Sequence, residues 1–280
     1  MWYPAHVSPR EYGQPRRGGF KLLPLLLFGA YLAYYYFSNQ QTVPLTGRKQ
    51  LVDISRDQEA ALGYQSYQQV LRQEQVLRSG REVDLVKSIG ARLAKVAEDP
   101  GFQWEFNVIQ SDQVNAFCLP GGKVAVYTGI LPVAKNENGL AAVMGHEIAH
   151  AIARHGAERM AYQKLVQLGT LAAGVAFSDL EPAQQRMVMG ALGVGAQFGV
   201  LLPFSREHES EADYMGIIYA ARACFDPSEA PRLWERMGQA GGGRNPAEWQ
   251  STHPSHETRI RQLNEWMPEA LEARKKTCGQ

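Results

Sequence analysis

Two histidines and a glutamate lie within about one helical turn near the middle of the chain, in the sequence His146-Glu147-Ile148-Ala149-His150. Residues four positions apart share a face of an α-helix, so His146 and His150 can offer two imidazoles to one metal ion. Neutral imidazole is a good ligand for Zn²⁺. Glu147 is rotated about 100° around the helix, where its carboxylate can act as a general base on water at the metal. The spacing therefore predicts a zinc site suited to hydrolysis.

The third ligand that a catalytic zinc site needs is expected in the acidic segment 207–213. Glu209 and Asp213 are four positions apart and share a helical face. We predict Glu209 as the third ligand, and Asp213 as the acceptor for the ring N–H of a ligand histidine. Glu207 and Glu211 are interpreted as the exposed acidic start of a helix, which the helix dipole favours.

Further candidates follow a glycine run at 241–243. His253 and Arg259 are candidates for facing the metal, where they would stabilise the oxyanion of a tetrahedral intermediate. His155 and His208 are interpreted as surface residues or as partners of the ligands. The candidate catalytic set therefore extends well beyond the central motif.

The elements that must position these residues are mainly helical, and the predicted fold class is α+β. Apolar residues at helical spacing predict a buried helix from Asn138, ended or bent at Gly156. Aromatic and β-branched residues predict strands that form a small antiparallel sheet beside this helix. The predicted strands are 102–109, 116–119 and 123–127, with a glycine turn at 121–122. The other predicted helices are 55–73 (capped by Ser55), 82–98, 165–177, 187–204, 205–223, 227–237 and 255–267.

The composition is that of a globular protein, with 280 residues of which 45% are hydrophobic and 20% charged. The net charge of +1 creates no broad field, so we expect no nucleic-acid partner. Cys118, Cys224 and Cys278 fit no zinc or redox spacing. They are interpreted as buried or tail thiols, since an odd count argues against a disulfide framework, although it does not exclude one bridge.

An uncharged apolar stretch at Leu22–Ser38 reaches the length of about 17 residues needed to span a bilayer. The basic residues before it place its N-terminal side in the cytoplasm. A cleaved signal peptide is disfavoured because no A-x-A site follows, whereas a mitochondrial presequence stays open because residues 1–21 are rich in Arg. For the apolar stretch Met187–Phe204, a dip into the membrane and close packing of buried helices both stay open.

Several short motifs occur in order along the chain. They are Thr46-Gly47-Arg48-Lys49-Gln50, Asn115-Ala116-Phe117 with Leu119-Pro120-Gly121-Gly122, Tyr127-Thr128-Gly129, His146–His150 with Arg154-His155-Gly156, Ser205-Arg206 with Glu209-x-Glu211-Ala212-Asp213, and His253-Pro254 with Arg259-Ile260. Together they resemble metallopeptidase family M48, the HtpX-like gluzincins, and most closely its Oma-type, single-anchor branch. The resemblance covers roughly residues 43–265, and linked motifs are more specific than one motif alone.

The resemblance implies a gluzincin fold that holds one Zn²⁺ per subunit. The roles that it implies are His146, His150 and Glu209 as ligands, Glu147 as general base, Asp213 as partner of a ligand, and His253 and Arg259 as transition-state or gating residues. In some relatives the histidine that matches His253 fills the open metal position and silences the enzyme. Substrate backbone would pair with one of two strands, which gives the candidate substrate-binding residues Asn115, Ala116, Val124 and Val126.

The implied domain organisation is a single metallopeptidase domain on a membrane anchor. Its predicted parts are a cytoplasmic tail at 1–21, a transmembrane anchor at 22–38, a linker at 39–54, the zinc metallopeptidase domain at 55–270 and a tail at 271–280.

The implied activity is endopeptidase cleavage of misfolded or damaged proteins near a membrane, in protein quality control. Expected partners are unfolded polypeptides and the membrane, and a homo-oligomer is left open. The expected location is an inner membrane with the domain on the periplasmic side, and the alternative is the mitochondrial inner membrane facing the intermembrane space. The alternative function is a binding module with a structural zinc. In that case His253 would be a permanent fourth ligand, and the zinc would have no open position for water.

Overall fold

The computed structural model describes residues 21–98, 101–196, 202–240 and 256–279, and its architecture is mainly helical α+β, as predicted. The described helices are α1 Leu22–Ser38, α2 Arg56–Gln73, α3 Arg81–Val96, α4 Leu131–Ala134, α5 Glu137–Ile152, α6 His155–Ala176, α7 Pro182–Ala196, α8 Leu202–Arg222, α9 Glu229–Ala240 and α10 His256–Cys278. The described strands are β1 Gln40–Thr42, β2 Lys49–Leu51, β3 Val76–Leu77, β4 Glu105–Ile109, β5 Ala116–Leu119 and β6 Lys123–Tyr127.

A four-stranded sheet in the order β3-β4-β6-β5 packs through β5 against α5 and through β4 against α3. β5 and β6 form an antiparallel hairpin whose turn uses Gly121 and Gly122, both at positive φ, where glycine is favoured. β6 lies between β5 and β4 and runs parallel to β4. The predicted antiparallel sheet is therefore mixed, because strand order depends on the path of the chain between β4 and β5.

Residues 39–54, interpreted from the sequence as an extended linker or edge segment, form a hairpin that belongs to the domain. β1 pairs antiparallel with β2, and β2 packs on α6. Val43, Leu51 and Val52 are buried. Burial of these apolar side chains ties the hairpin to the helical core.

The N-terminal helix α1 packs along α6, where Gly169 leaves room for the ring of Phe28. Within the described ranges, no helix combines the length and the apolar composition needed to cross a bilayer. The transmembrane span predicted at Leu22–Ser38 is therefore not supported, since this segment is the 17-residue helix α1. The N-terminal tail up to residue 20, and part of the segment Met187–Phe204, lie outside the described residues.

The C-terminal helix is longer than predicted. α10 continues past Met267, includes Pro268 and ends at Cys278, which forms a disulfide with Cys224 after the end of α8. Residues 271–278 are therefore part of a helix and not a tail. The prediction of free thiols is correct for Cys118 but wrong for Cys224 and Cys278. The pairing was not evident from sequence because the two cysteines are brought together by the packing of α8 on α10.

The break after α5 lies at Arg154 rather than at Gly156. Arg154 is buried and adopts a left-handed φ of 61°. Its guanidinium donates to Glu59 at 2.7 Å and to the carbonyl of Ile54 at 2.8 Å. These bonds compensate for a backbone conformation that a side chain disfavours. The cap predicted at Ser205 was also wrong, since α8 already begins at Leu202.

Candidate metal-dependent active site

The site begins where α5 and α8 cross with their backbones in close contact. A Cβ on Gly216 would lie 2.8 Å from the backbone nitrogen of His146, and a Cβ on Gly145 would lie 2.9 Å from the carbonyl oxygen of Gly216. Glycine permits this approach because it has no side chain. The crossing brings Glu209 of α8 opposite the two histidines of α5.

Three atoms that could bind a metal ion converge at this crossing. The Nε2 atoms of His146 and His150 are 3.1 Å apart, and they lie 3.5 and 3.4 Å from the carboxylate oxygens of Glu209. Bond lengths of about 2.0–2.1 Å in a tetrahedral zinc site separate ligands by about 3.3 Å. The donor set and its spacing therefore fit Zn²⁺, as predicted from the sequence.

Asp213 contacts the ring nitrogen of His146 that faces away from the predicted metal position. Its Oδ1 lies 2.9 Å from Nδ1 of His146, which leaves Nε2 for the metal. Arg259 donates to both oxygens of Asp213 at 2.6 Å, and its Nη1 lies 3.1 Å from Glu209. The guanidinium also stacks 3.4 Å over the ring of Trp234. Arg259 is only 2% exposed, so it lies within the site as a buried cation.

These contacts shift the protonation equilibria of the site. Burial and the Arg259 charge lower the pKa of His146, but the carboxylates of Asp213 and Glu209 outweigh them and raise it to about 9. Burial raises the pKa of Asp213, yet Arg259 and His146 lower it overall. Asp213 is therefore ionised at neutral pH and suited to accept the His146 proton.

A second buried network lies on the His150 side. Nδ1 of His150 is 2.8 Å from Nδ1 of His155, whose Nε2 is 3.0 Å from Glu211. The ring of His208 stacks on His155 with centroids 4.1 Å apart. Burial, together with the His150 and His208 rings, holds the pKa of His155 well below its usual range.

Sequence reasoning misplaced part of this network. Glu211 was expected at an exposed helix start, but it is buried and bonded to Arg48 at 2.8 Å. Arg48 also reaches Glu158 at 2.7 Å. The motifs that contain Arg48 and Glu211 were both noted in the sequence, but nothing in their spacing predicted that these two residues are in contact.

The remaining predicted site residues are Glu147 on α5, four residues at the sheet, and His253. Glu147 is 4% exposed and lies on α5, the helix that carries His146 and His150. Val124 and Val126 cannot pair with a substrate, because β6 is bonded on both sides, to β4 and to β5. Asn115 and Ala116 lie at β5, which in the described part of the chain is paired along one side. His253 lies outside the described residues.

A cavity of about 1010 Å³ adjoins the site. Glu209 and Arg259 contribute to its wall, and Leu45, Tyr214 and Trp266 supply an apolar part of its lining. Space for a chain segment therefore lies directly beside the predicted ligands.

The geometry agrees with what comparison with known proteins shows. Residues 81–267 match the model of Peptidase family M48. The chain belongs to this family. It is 41% identical over 251 residues to the mitochondrial metalloendopeptidase OMA1 of Schizosaccharomyces pombe, covering 87% of this chain and 72% of that protein. It is 30% identical to the mitochondrial metalloendopeptidase OMA1 of Homo sapiens, covering 92% of this chain and 52% of that protein.

A bacterial relative also matches. The chain is 29% identical over 230 residues to the β-barrel assembly-enhancing protease of Escherichia coli, covering 80% of this chain and 47% of that protein. Family membership and the metalloendopeptidase relatives establish this M48 chain as a metalloendopeptidase, as predicted.

Proposed function

We propose that this chain is a zinc-dependent endopeptidase that cleaves unfolded or damaged proteins at the mitochondrial inner membrane, with its catalytic domain facing the intermembrane space. The observation that carries the proposal is the convergence of His146 and His150 of α5 with Glu209 of α8 at tetrahedral spacing. Glu147 lies on α5 between the two histidines. A zinc ion bound there supplies a Lewis acid for the scissile carbonyl and lowers the pKa of water.

In the proposed mechanism, Glu147 takes the proton of the attacking water and then delivers it to the leaving amine. Asp213 keeps the Nδ1 proton on His146, so the Nε2 lone pair stays directed at the ligand position. Arg259 compensates the charge of Asp213 and Glu209, and these contacts favour a supporting role over direct contact with the oxyanion. Burial of Glu147 excludes bulk water that would compete for its proton.

We propose that substrate pairs with the outer edge of β5, near Asn115 and Ala116. β5 packs against the metal-binding helix α5, so a strand added there would run beside the ligands. Main-chain pairing explains cleavage with little sequence preference. A peptide N-methylated next to the cleavage site should be cut at least about tenfold more slowly than one N-methylated far from it, and equal rates would contradict edge pairing.

The membrane and the compartment are proposed from three observations. Apolar side chains are exposed along α1, α6 and α7, among them Leu23, Leu26, Leu27, Leu171, Val175 and Leu192. The Cys224–Cys278 disulfide suits an oxidising compartment. The names of the OMA1 relatives place those proteins in mitochondria, which favours the mitochondrial alternative over the periplasm.

Vesicle flotation tests membrane attachment. The full chain should float with vesicles, and the double change Leu23→Glu and Leu27→Glu should release it. Leu62→Glu is the matched control, because Leu62 is an exposed leucine on α2, which is not one of these three helices. Release by the control, or no release by the double change, would count against the proposal.

We propose that His253 gates or assists the metal centre, as the resemblance implies. His253→Ala should change the rate of cleavage of unfolded protein in either direction. A rate within error of the wild type would remove both roles.

The activity itself is tested with unfolded casein as substrate. The full chain should cleave casein, a zinc chelator should stop cleavage, and added Zn²⁺ should restore it. Cleavage that persists after the metal has been removed would contradict a zinc endopeptidase.

A further inference from the structure

A chain of buried polar contacts leads away from the metal-binding atoms on the His150 side. Nδ1 of His150 lies 2.8 Å from Nδ1 of His155, and Nε2 of His155 lies 3.0 Å from Oε2 of Glu211. We propose that His155 and Glu211 are positioning residues that fix the tautomer and the ring orientation of His150. This inference rests on the proposed zinc site and extends it beyond the ligands.

The direction of each hydrogen bond follows from the chemistry of the groups. The Glu211 carboxylate only accepts, so Nε2 of His155 must carry the proton. The other nitrogen of a neutral imidazole is an acceptor, and therefore Nδ1 of His155 receives the Nδ1 proton of His150. The lone pair of His150 is then confined to Nε2, which is the atom that faces His146 and Glu209.

The same logic operates on the other ligand. Asp213 accepts the Nδ1 proton of His146, so in the neutral form of His146 the lone pair lies on Nε2, 3.1 Å from Nε2 of His150. A metal ion between the two Nε2 atoms would be bound by both lone pairs. Each histidine is therefore oriented toward one metal position by a carboxylate. Asp213 contacts His146 directly, and Glu211 acts on His150 through His155.

Residues of the β1–β2 hairpin hold Glu211 in place through hydrogen bonds. Arg48 bonds Glu211 at 2.8 Å and Glu158 at 2.7 Å, and Thr46 donates to the other oxygen of Glu211. Glu158 in turn lies 2.9 Å from His208, whose ring stacks on His155. Arg48 lies outside the residues 81–267 that match the family model. The metal centre is thus completed by a segment N-terminal to the matched region.

The central test replaces His155 in the full chain. His155→Phe keeps a planar ring against His208 but removes both ring nitrogens, so the affinity for Zn²⁺ should fall by about 10–100-fold. His155→Asn places an amide oxygen near the position of Nδ1, so it should bind Zn²⁺ more tightly than His155→Phe. Affinity is measured by competition with a chromophoric chelator, and the melting temperature of each zinc-free protein reports on folding.

Two matched pairs test the rest of the chain of contacts. Glu211→Gln should weaken Zn²⁺ binding more than Glu207→Gln, which removes the same charge from an exposed position on the same helix. Arg48→Met should weaken it more than Lys49→Met, which removes a cation from the exposed neighbouring residue. The visible spectrum of the Co²⁺-loaded proteins should change in Arg48→Met and Glu211→Gln and remain that of the wild type in both controls.

The outcomes separate this inference from the proposed function. If the wild type binds Zn²⁺ and His155→Phe binds it within about twofold, His155 does not position His150. If Glu211→Gln and Glu207→Gln are equal, the carboxylate plays no part. If the wild type itself binds no Zn²⁺, the proposed function fails and this inference fails with it.

Discussion

Replacing Arg259 by Met should leave the buried carboxylates of Asp213 and Glu209 without the positive charge that now neutralises them. Arg259 is 2% exposed and contacts Asp213 through two bonds of 2.6 Å and Glu209 at 3.1 Å. Methionine keeps an unbranched side chain against Trp234 but carries no charge. The variant therefore isolates the electrostatic contribution of the guanidinium from its packing.

The expected loss of stability is large because both partners are buried. Removing one member of a buried ion pair typically costs about 3–5 kcal/mol, since the other charge is left uncompensated. In the zinc-free protein this corresponds to a fall in melting temperature of about 6–20 °C. Added Zn²⁺ should recover part of the loss, because it would supply a cation to Glu209.

The assay is thermal and urea unfolding of the full chain, with chelator and with Zn²⁺. The control is Arg261→Met on the same helix, where the arginine side chain is 70% exposed and pairs with Glu265 at 3.8 Å. An exposed pair contributes about 0–1 kcal/mol, so this variant should unfold nearly as the wild type does. Equal stability of the two variants would refute the role assigned to Arg259.

Three further predictions concern other parts of the fold. Gly216→Ala should destabilise by about 1–3 kcal/mol and weaken Zn²⁺ binding, because its Cβ meets the α5 backbone, whereas Gly174→Ala, whose Cβ meets nothing within 4 Å, should not destabilise. Cys278→Ser should lower the free energy of unfolding by about 4 kcal/mol, since Cys224 lies 54 residues away, and a reductant should then have no further effect. Burial raises the pKa of Glu158, but its ion-pair partners lower it overall, so the stability that the ionised Glu158 contributes is lost as the pH falls. Glu158→Gln should therefore lower the free energy of unfolding by urea more at about pH 7 than at about pH 3.

The parts of the site that follow local spacing could be predicted from the sequence. His146 and His150, like Glu209 and Asp213, are four residues apart, and helical geometry alone places each pair on one face. A single helix crossing then brings the two faces together. The strands β5 and β6 were also predicted with the bounds observed, because their turn is marked by two adjacent glycines.

The parts that depend on contacts between distant segments could not be predicted. Glu211 resembles any acid at a helix start until Arg48, far away in sequence, is seen to bond it. The central place of β6 depends on where β5 lies, and the disulfide depends on the packing of α10 on α8. Sequence patterns that repeat every two or four residues carry no information about such pairings.

Glu147→Gln tests the central claim most directly. Glutamine preserves the size of the side chain but cannot accept the proton of the attacking water. The variant should bind Zn²⁺ with wild-type affinity and stoichiometry, retain the melting temperature, and cleave casein at least about a hundredfold more slowly. A variant that cleaves casein at the wild-type rate while holding one Zn²⁺ would contradict the assignment of Glu147 as the general base of a zinc endopeptidase.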